Sequence, residues 1–136
     1  MKNICRICAI EPNSHSFSKT CEIDGVGMYY SKPASATKYN DEKGILQHFD
    51  NLLQANNESK WIWVIDGSDF EMKHALEVGI IKNMLKVIEN KYLHSLVEIQ
   101  VKNMNGALEY LYGIISPFIN NELSSKIRFI ARSQRS

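Results

Sequence analysis
Five consecutive apolar residues, Trp61-Ile62-Trp63-Val64-Ile65, run straight into Asp66-Gly67-Ser68-Asp69. A half-exposed strand alternates apolar and polar residues. An unbroken run this short therefore predicts a strand buried on both faces, as in the middle of a parallel sheet. Asp66-Gly67 marks a tight exit at the carboxyl end of that strand, where open α/β sheets tend to bind ligands. Residues 72–90 then have the spacing of one long helix. Leu76, Ile80, Ile81, Met84, Leu85, Val87 and Ile88 make a broad apolar stripe, with Glu77, Lys82, Lys86 and Glu89 opposite. Strand, acidic turn and helix form half of a βαβ unit.

The flanking sequence extends this pattern. Residues 3–11 read as a first strand and residues 12–25 as loop or hairpin. Val26 to Tyr30 reads as a second strand, preceded by an Asp24-Gly25 turn and closed by Lys32-Pro33. Asn40 is the expected N-cap of a helix with Asp41 and Glu42 in its first turn, where the helix dipole favours acids. Ile45, Leu46, Phe49, Leu52 and Leu53 form its apolar face. Leu96 to Lys102 alternates, placing Val97, Ile99 and Val101 on a drier face. Asn105-Gly106 opens a further helix that Pro117 stops, and Lys126 to Ile130 is a last strand with Ile127 and Phe129 on one side. The order β-β-α-β-α-β-α-β predicts an α/β fold, with a mostly parallel sheet of about five strands packed with about three helices.

A chain of 136 residues has room for one core, so residues 1–136 read as a single domain with a basic tail at 131–136. The net charge of +1 hides an uneven distribution. Residues 41–125 carry seven basic and twelve acidic side chains, whereas residues 126–136 carry Lys126, Arg128, Arg132, Arg135 and no acid. A basic end can meet phosphate groups on a membrane surface, but an acidic body argues against nucleic acid. The amino terminus is unlike a signal peptide, and no apolar run is long enough to span a membrane. Three cysteines, Cys5, Cys8 and Cys21, cannot all pair. The expected location is therefore the cytoplasm.

Catalytic signatures are missing. There is no glycine-rich phosphate loop, no HExxH, and no flanking glycine to make Gly67-Ser68-Asp69 a nucleophile elbow. Asp66, Asp69 and His74 could serve acid–base or Mg²⁺ chemistry. The simpler reading has Asp66 ending a strand, Asp69 capping the next helix and His74 structural. The expectation is a chain that is not an enzyme and needs no cofactor. Cys5-x-x-Cys8 resembles half of a zinc or redox motif. On a strand, however, residues three apart point to opposite faces, and no second cysteine pair exists. No metal site is therefore expected, and the thiols read as buried.

Residues 60–130 together resemble the CRAL-TRIO lipid-binding domain of the yeast-type phosphatidylinositol-transfer proteins. That family pattern is a buried strand ending Asp-x-x-Gly, a long helix, Tyr-Pro-Glu-Arg and a strand ending Ile-Asn-Ala-Pro. A helix ending Lys-Pro-Phe-Leu and a loop to Lys-Ile-x-Phe follow. The counterparts here are Ile65-Asp66-Gly67, the Leu76 helix, Lys91-Tyr92-Leu93-His94-Ser95 and Val101-Lys102-Asn103-Met104-Asn105. After them come Ser116-Pro117-Phe118-Ile119 and Ser125-Lys126-Ile127-Arg128-Phe129. Residues 22–58 agree more loosely. The resemblance implies an apolar pocket for one lipid between sheet and helices, and no reaction.

In phosphatidylinositol-binding members the headgroup is held by the Glu of Tyr-Pro-Glu-Arg and the Lys of the last strand. Here the Lys is Lys126, while His94 replaces the Glu. The resemblance thus implies a phosphoinositide or phosphatidylinositol headgroup site made of Lys126, Arg128, His94, Tyr92 and Arg132, serving lipid transfer or sensing at a membrane surface. Family members also carry an N-terminal helical region and a C-terminal gate helix, so the chain is expected to be a minimal form. Its open groove would then be closed by a second copy in a homodimer, by a membrane, or by collapse. The alternative is a degenerate protein-binding module of the kind found in regulators of small GTPases.

Overall fold
The computed structural model of the protein describes residues 5–10 and 13–130. A short helix α1 (Arg6–Ile10) precedes strands β1 (Ser18–Ile23) and β2 (Val26–Ser31). Helix α2 (Glu42–Ala55) leads to β3 (Trp61–Asp66). Helices α3 (Met72–Ala75) and α4 (Val78–Val87) lead to β4 (Leu96–Lys102). Helices α5 (Gly106–Ile115) and α6 (Asn121–Ser125) lead to β5 (Ile127–Phe129). The five strands form one sheet in the order β1-β2-β3-β4-β5. Only the β1–β2 pair is antiparallel. It is a hairpin whose turn residues, Asp24 and Gly25, both take left-handed φ of 52° and 81°, as a tight two-residue turn needs.

This sequential order explains where the core lies. Crossovers between parallel strands are right-handed, so a sheet that always advances toward the same edge puts its crossover helices on one face. That face presents Tyr29, Trp61, Trp63, Ile99 and Val101, all buried. Phe49 of α2, fully buried, packs with its ring centroid 5.1 Å from Trp63, and Phe17 lies 4.6 Å from Phe49. On the opposite face Tyr30, Ile62, Val64 and Gln100 are only half-buried and Arg128 is exposed. The central strand is thus not buried on both faces, contrary to its unbroken apolar run. Its even-numbered residues look outward from a two-layer molecule.

Other expectations change as well. The cysteine segment is helical where described, so Cys5 and Cys8 stand one turn apart rather than on opposite faces. Residues 3, 4 and 11 of the expected first strand lie outside the described residues. The N-cap of α2 is Asp41, whose carboxylate accepts the Gly44 amide hydrogen at 3.2 Å, not Asn40. The long helix expected over 72–90 is broken after Ala75. Glu71, not Asp69, is the N-cap of α3, in a reciprocal capping box with His74, and Leu76 projects into solvent at 67% exposure. Finally, the β3–β4 pairing skips Val97 between Trp61↔Leu96 and Ile62↔Glu98. This bulge turns Leu96 inward and leaves Val97 exposed.

Candidate functional site
Between the covered face of the sheet and the helices α4 and α5 lies an open apolar groove. Its volume is about 1160 Å³ when space continuous with solvent is included. Trp63, Ile65, Ile99, Val101, Ile127 and Phe129 form its floor, one face of three parallel strands. Ile80, Ile81, Met84 and Leu85 make one wall, and Leu108, Leu111, Tyr112 and Ile115 the other. The first wall belongs to the apolar stripe that the sequence periodicity marks over residues 72–90. Polar groups are few. Ser16, Ser31, Tyr39, His74 and Glu77 stand toward the β2 side. Most of them are committed to the frame. Ser31 Oγ accepts the Trp63 indole N–H at 2.9 Å, and Ser16 Oγ accepts the Lys32 amide at 2.8 Å.

The acidic turn closes one end of this frame. Gly67 is wedged there, since a Cβ would meet the Asn103 carbonyl at 2.7 Å and a Leu108 methyl at 2.8 Å. Asp66 accepts hydrogen bonds from the Ser68 amide (2.9 Å), the Asn103 side chain (2.8 Å) and the Tyr30 hydroxyl (2.7 Å). Partial burial alone would raise its pKa. The bonds from Asn103, Ser68 and Tyr30 outweigh that and hold the carboxyl well below the usual carboxylate range. A carboxylate held ionised by three donors is a poor proton shuttle. His74 Nδ1 accepts the Glu71 amide at 2.9 Å, and burial, then the neighbouring Lys73 charge, lowers its pKa, so its ring is neutral near pH 7. Asp69, with φ of 64°, is exposed and meets Lys32 at 3.4 Å. Asp66, Asp69 and His74 are each used in turns, caps and surface pairs.

Among the described residues, the expected headgroup positions Lys126, Arg128, His94 and Tyr92 do not line the groove. The Lys126 ammonium, just before the groove-lining Ile127, donates to the Leu93 and Leu96 carbonyls at 3.0 and 2.7 Å. It therefore sits against the turn that carries His94, and those two positions do come together. His94 is exposed, 3.9 Å from Glu58, and Arg128 meets Glu98 at 3.4 Å. Tyr92 is buried instead. Its hydroxyl donates to Asp50, and burial followed by that bond raises its pKa strongly. Arg132 and the tail at 131–136 lie outside the described residues. Among the described residues no helix is long and apolar enough to cross a membrane.

Against known proteins, residues 28–136 match the model of the CRAL/TRIO domain. The crystal structure of Sfh5 is similar in fold, with a TM-score of 0.69 at 11% sequence identity. The match covers 89% of this chain and 50% of that one, so the chain spans about half the length of the solved structure. No curated protein matches.

Proposed function
The chain belongs to the CRAL/TRIO domain family, a lipid-binding family, and we propose that it is a non-catalytic domain that holds one lipid with its acyl chains in the groove between the sheet and helices α4 and α5. The observation that carries this reading is the lining. Three strands and two helices turn almost only aliphatic and aromatic side chains toward a space open to solvent. Water there is poorly satisfied. Each methylene kept out of water is worth about 0.8 kcal/mol, so acyl chains seated in the groove are held against release into water. Small-molecule sites are characteristically concave and lined mostly by apolar side chains, as this groove is.

For the headgroup, we propose an anionic, phosphorylated inositol lipid held at the start of β5. Lys126 is already fixed by two carbonyls, which leaves its third N–H to reach outward beside exposed His94. Arg128 can join once a phosphate displaces Glu98. Tyr92 supports the turn rather than the ligand, and Arg132 extends the basic end. Peripheral contact with a cytoplasmic membrane surface follows from this reading. A single domain over residues 1–136 that senses or transfers the lipid is its simplest form.

A second reading, a protein-binding module, is favoured by the uncovered sheet face with half-exposed Tyr30, Ile62 and Val64. A homodimer would instead cover Phe129, 47% exposed at the groove. The test is vesicle flotation against a panel of inositol lipids, with phosphatidylserine at matched charge. Selective flotation with one inositide class supports the headgroup site. Equal flotation with every anionic vesicle reduces it to a basic surface, and none at all favours the protein-binding module.

A further inference from the structure
Cys5 just before helix α1, Cys8 within it, His15 ahead of β1 and His48 of helix α2 are four buried residues of metal-ligating type brought together. One ligand atom of each lies within 4.8 Å of every other. Cys5 Sγ is 3.5 Å from His15 Nδ1, and Cys8 Sγ is 3.8 Å from His15 Nδ1 and 3.7 Å from His48 Nδ1. A tetrahedral zinc ion with bonds of about 2.3 Å to sulfur and about 2.05 Å to nitrogen requires sulfur–nitrogen edges of about 3.6 Å. The three separations match that edge.

The surroundings are equally specific. Both histidines direct Nε2 away from the sulfurs. His15 Nε2 meets the Asp41 carboxylate at 3.0 Å, and His48 Nε2 donates to the Phe17 carbonyl at 2.6 Å. A neutral imidazole with its proton on Nε2 carries a lone pair on Nδ1, so both lone pairs face the two thiols. Carboxylate and carbonyl partners of this kind orient histidines around metals. The Cys8 amide also approaches Cys5 Sγ at 3.5 Å. A Cys5–Cys8 disulfide would make no use of the aimed imidazoles.

The geometry points to a structural Zn²⁺ site formed by Cys5, Cys8, His15 and His48, which staples α1 and its loop to α2. On binding, both thiols release their protons to solvent. Two thiolates then cancel the charge of the ion, so the buried centre is neutral. Four protein ligands complete a tetrahedron and leave no open position, which is the structural rather than the catalytic pattern. The staple is coupled to the rest of the fold, because Ser16 and Phe17 follow His15 directly. The first lines the groove and the second stacks on Tyr29 at 5.1 Å. The site stands independently of the lipid reading.

Mass-spectrometric metal analysis of the full chain, purified without chelator, should find one zinc per chain. Two of the three thiols should resist a thiol reagent until a chelator removes the ion, with exposed Cys21 reacting throughout. Asp41→Asn keeps a capping acceptor and should weaken zinc binding about 10–100-fold while stoichiometry at saturating zinc stays at one. Loss of a buried thiol can itself unfold the chain, so Cys8→Ala is read beside Co²⁺ uptake by chelator-treated wild type. Tetrahedral thiolate-bound Co²⁺ gives visible absorption. Folded wild type that takes up neither ion, a Cys5–Cys8 disulfide in the folded protein, or a full zinc equivalent retained by a folded Cys8→Ala, His48→Ala variant would overturn the assignment.

Discussion

Lys126 is the residue on which structural and ligand-binding roles can be separated most sharply. Its ammonium caps the Leu93 and Leu96 carbonyls, which belong to two buried residues, and ties the start of β5 to the turn before β4. Lys126→Met keeps the aliphatic stem but removes both charge-assisted bonds. Such bonds contribute about 1.5–3 kcal/mol each. Lys126 is only half-buried and water replaces part of each bond, so the low end applies, for a total of about 3 kcal/mol. For a domain of this size each kcal/mol shifts the melting temperature by about 3–5 °C, so Tm should fall by about 9–15 °C. The assay is thermal unfolding followed by far-ultraviolet circular dichroism and by the fluorescence of the buried Trp61 and Trp63. An unchanged Tm would refute the structural argument. If inositide-selective flotation were lost at the same time, Lys126 would be a ligand contact and nothing else.

Two further predictions concern single charged groups. Asp66 has a folded-state pKa below its unfolded value of about 3.9, so its contribution to stability is present above that value and is lost as pH falls below it. In Asp66→Asn the acid limb of the stability–pH curve should flatten below about pH 4, with lower stability at pH 7. An acid limb identical to wild type in urea titrations at several pH values would count against the assignment. Glu98→Gln should release Arg128 on the exposed sheet face and raise affinity for inositide vesicles up to about fivefold, the worth of one surface ion pair. Unchanged or weaker flotation would remove Arg128 from the proposed headgroup site.

Much of the fold is readable in the residues because local signals agree with it. The alternation of β4 around Ile99 and Val101, the helix start at Asn105-Gly106 and the apolar stripe of α4 all serve the core as their patterns say. What the patterns do not carry is which side of the sheet receives the helices. Ile62 and Val64 are as apolar as buried residues, yet the crossovers leave their side uncovered. Bulges are similarly silent, so Val97 and Leu96 exchange places without any change of composition. The α4 stripe is legible as an apolar face, but periodicity does not distinguish a core face from a groove lining, and the rim residues His74, Tyr39 and Ser31 come from three separate segments. The cysteine cluster shows the same limit. Cys5-x-x-Cys8 and His15 are visible as neighbours, but His48 is 40 residues beyond Cys8 on the buried side of α2. A strand reading of the first segment then separated the very thiols that a helical turn brings together.

The central claim, that the groove of this CRAL/TRIO domain holds the chains of a lipid, is tested most directly by native mass spectrometry. The full chain would be incubated with phosphatidylinositol and phosphoinositide vesicles and separated from them. The account predicts a complex of one lipid per chain that survives the separation. A lipid-free chain, recovered after floating equally with every anionic vesicle, would contradict it.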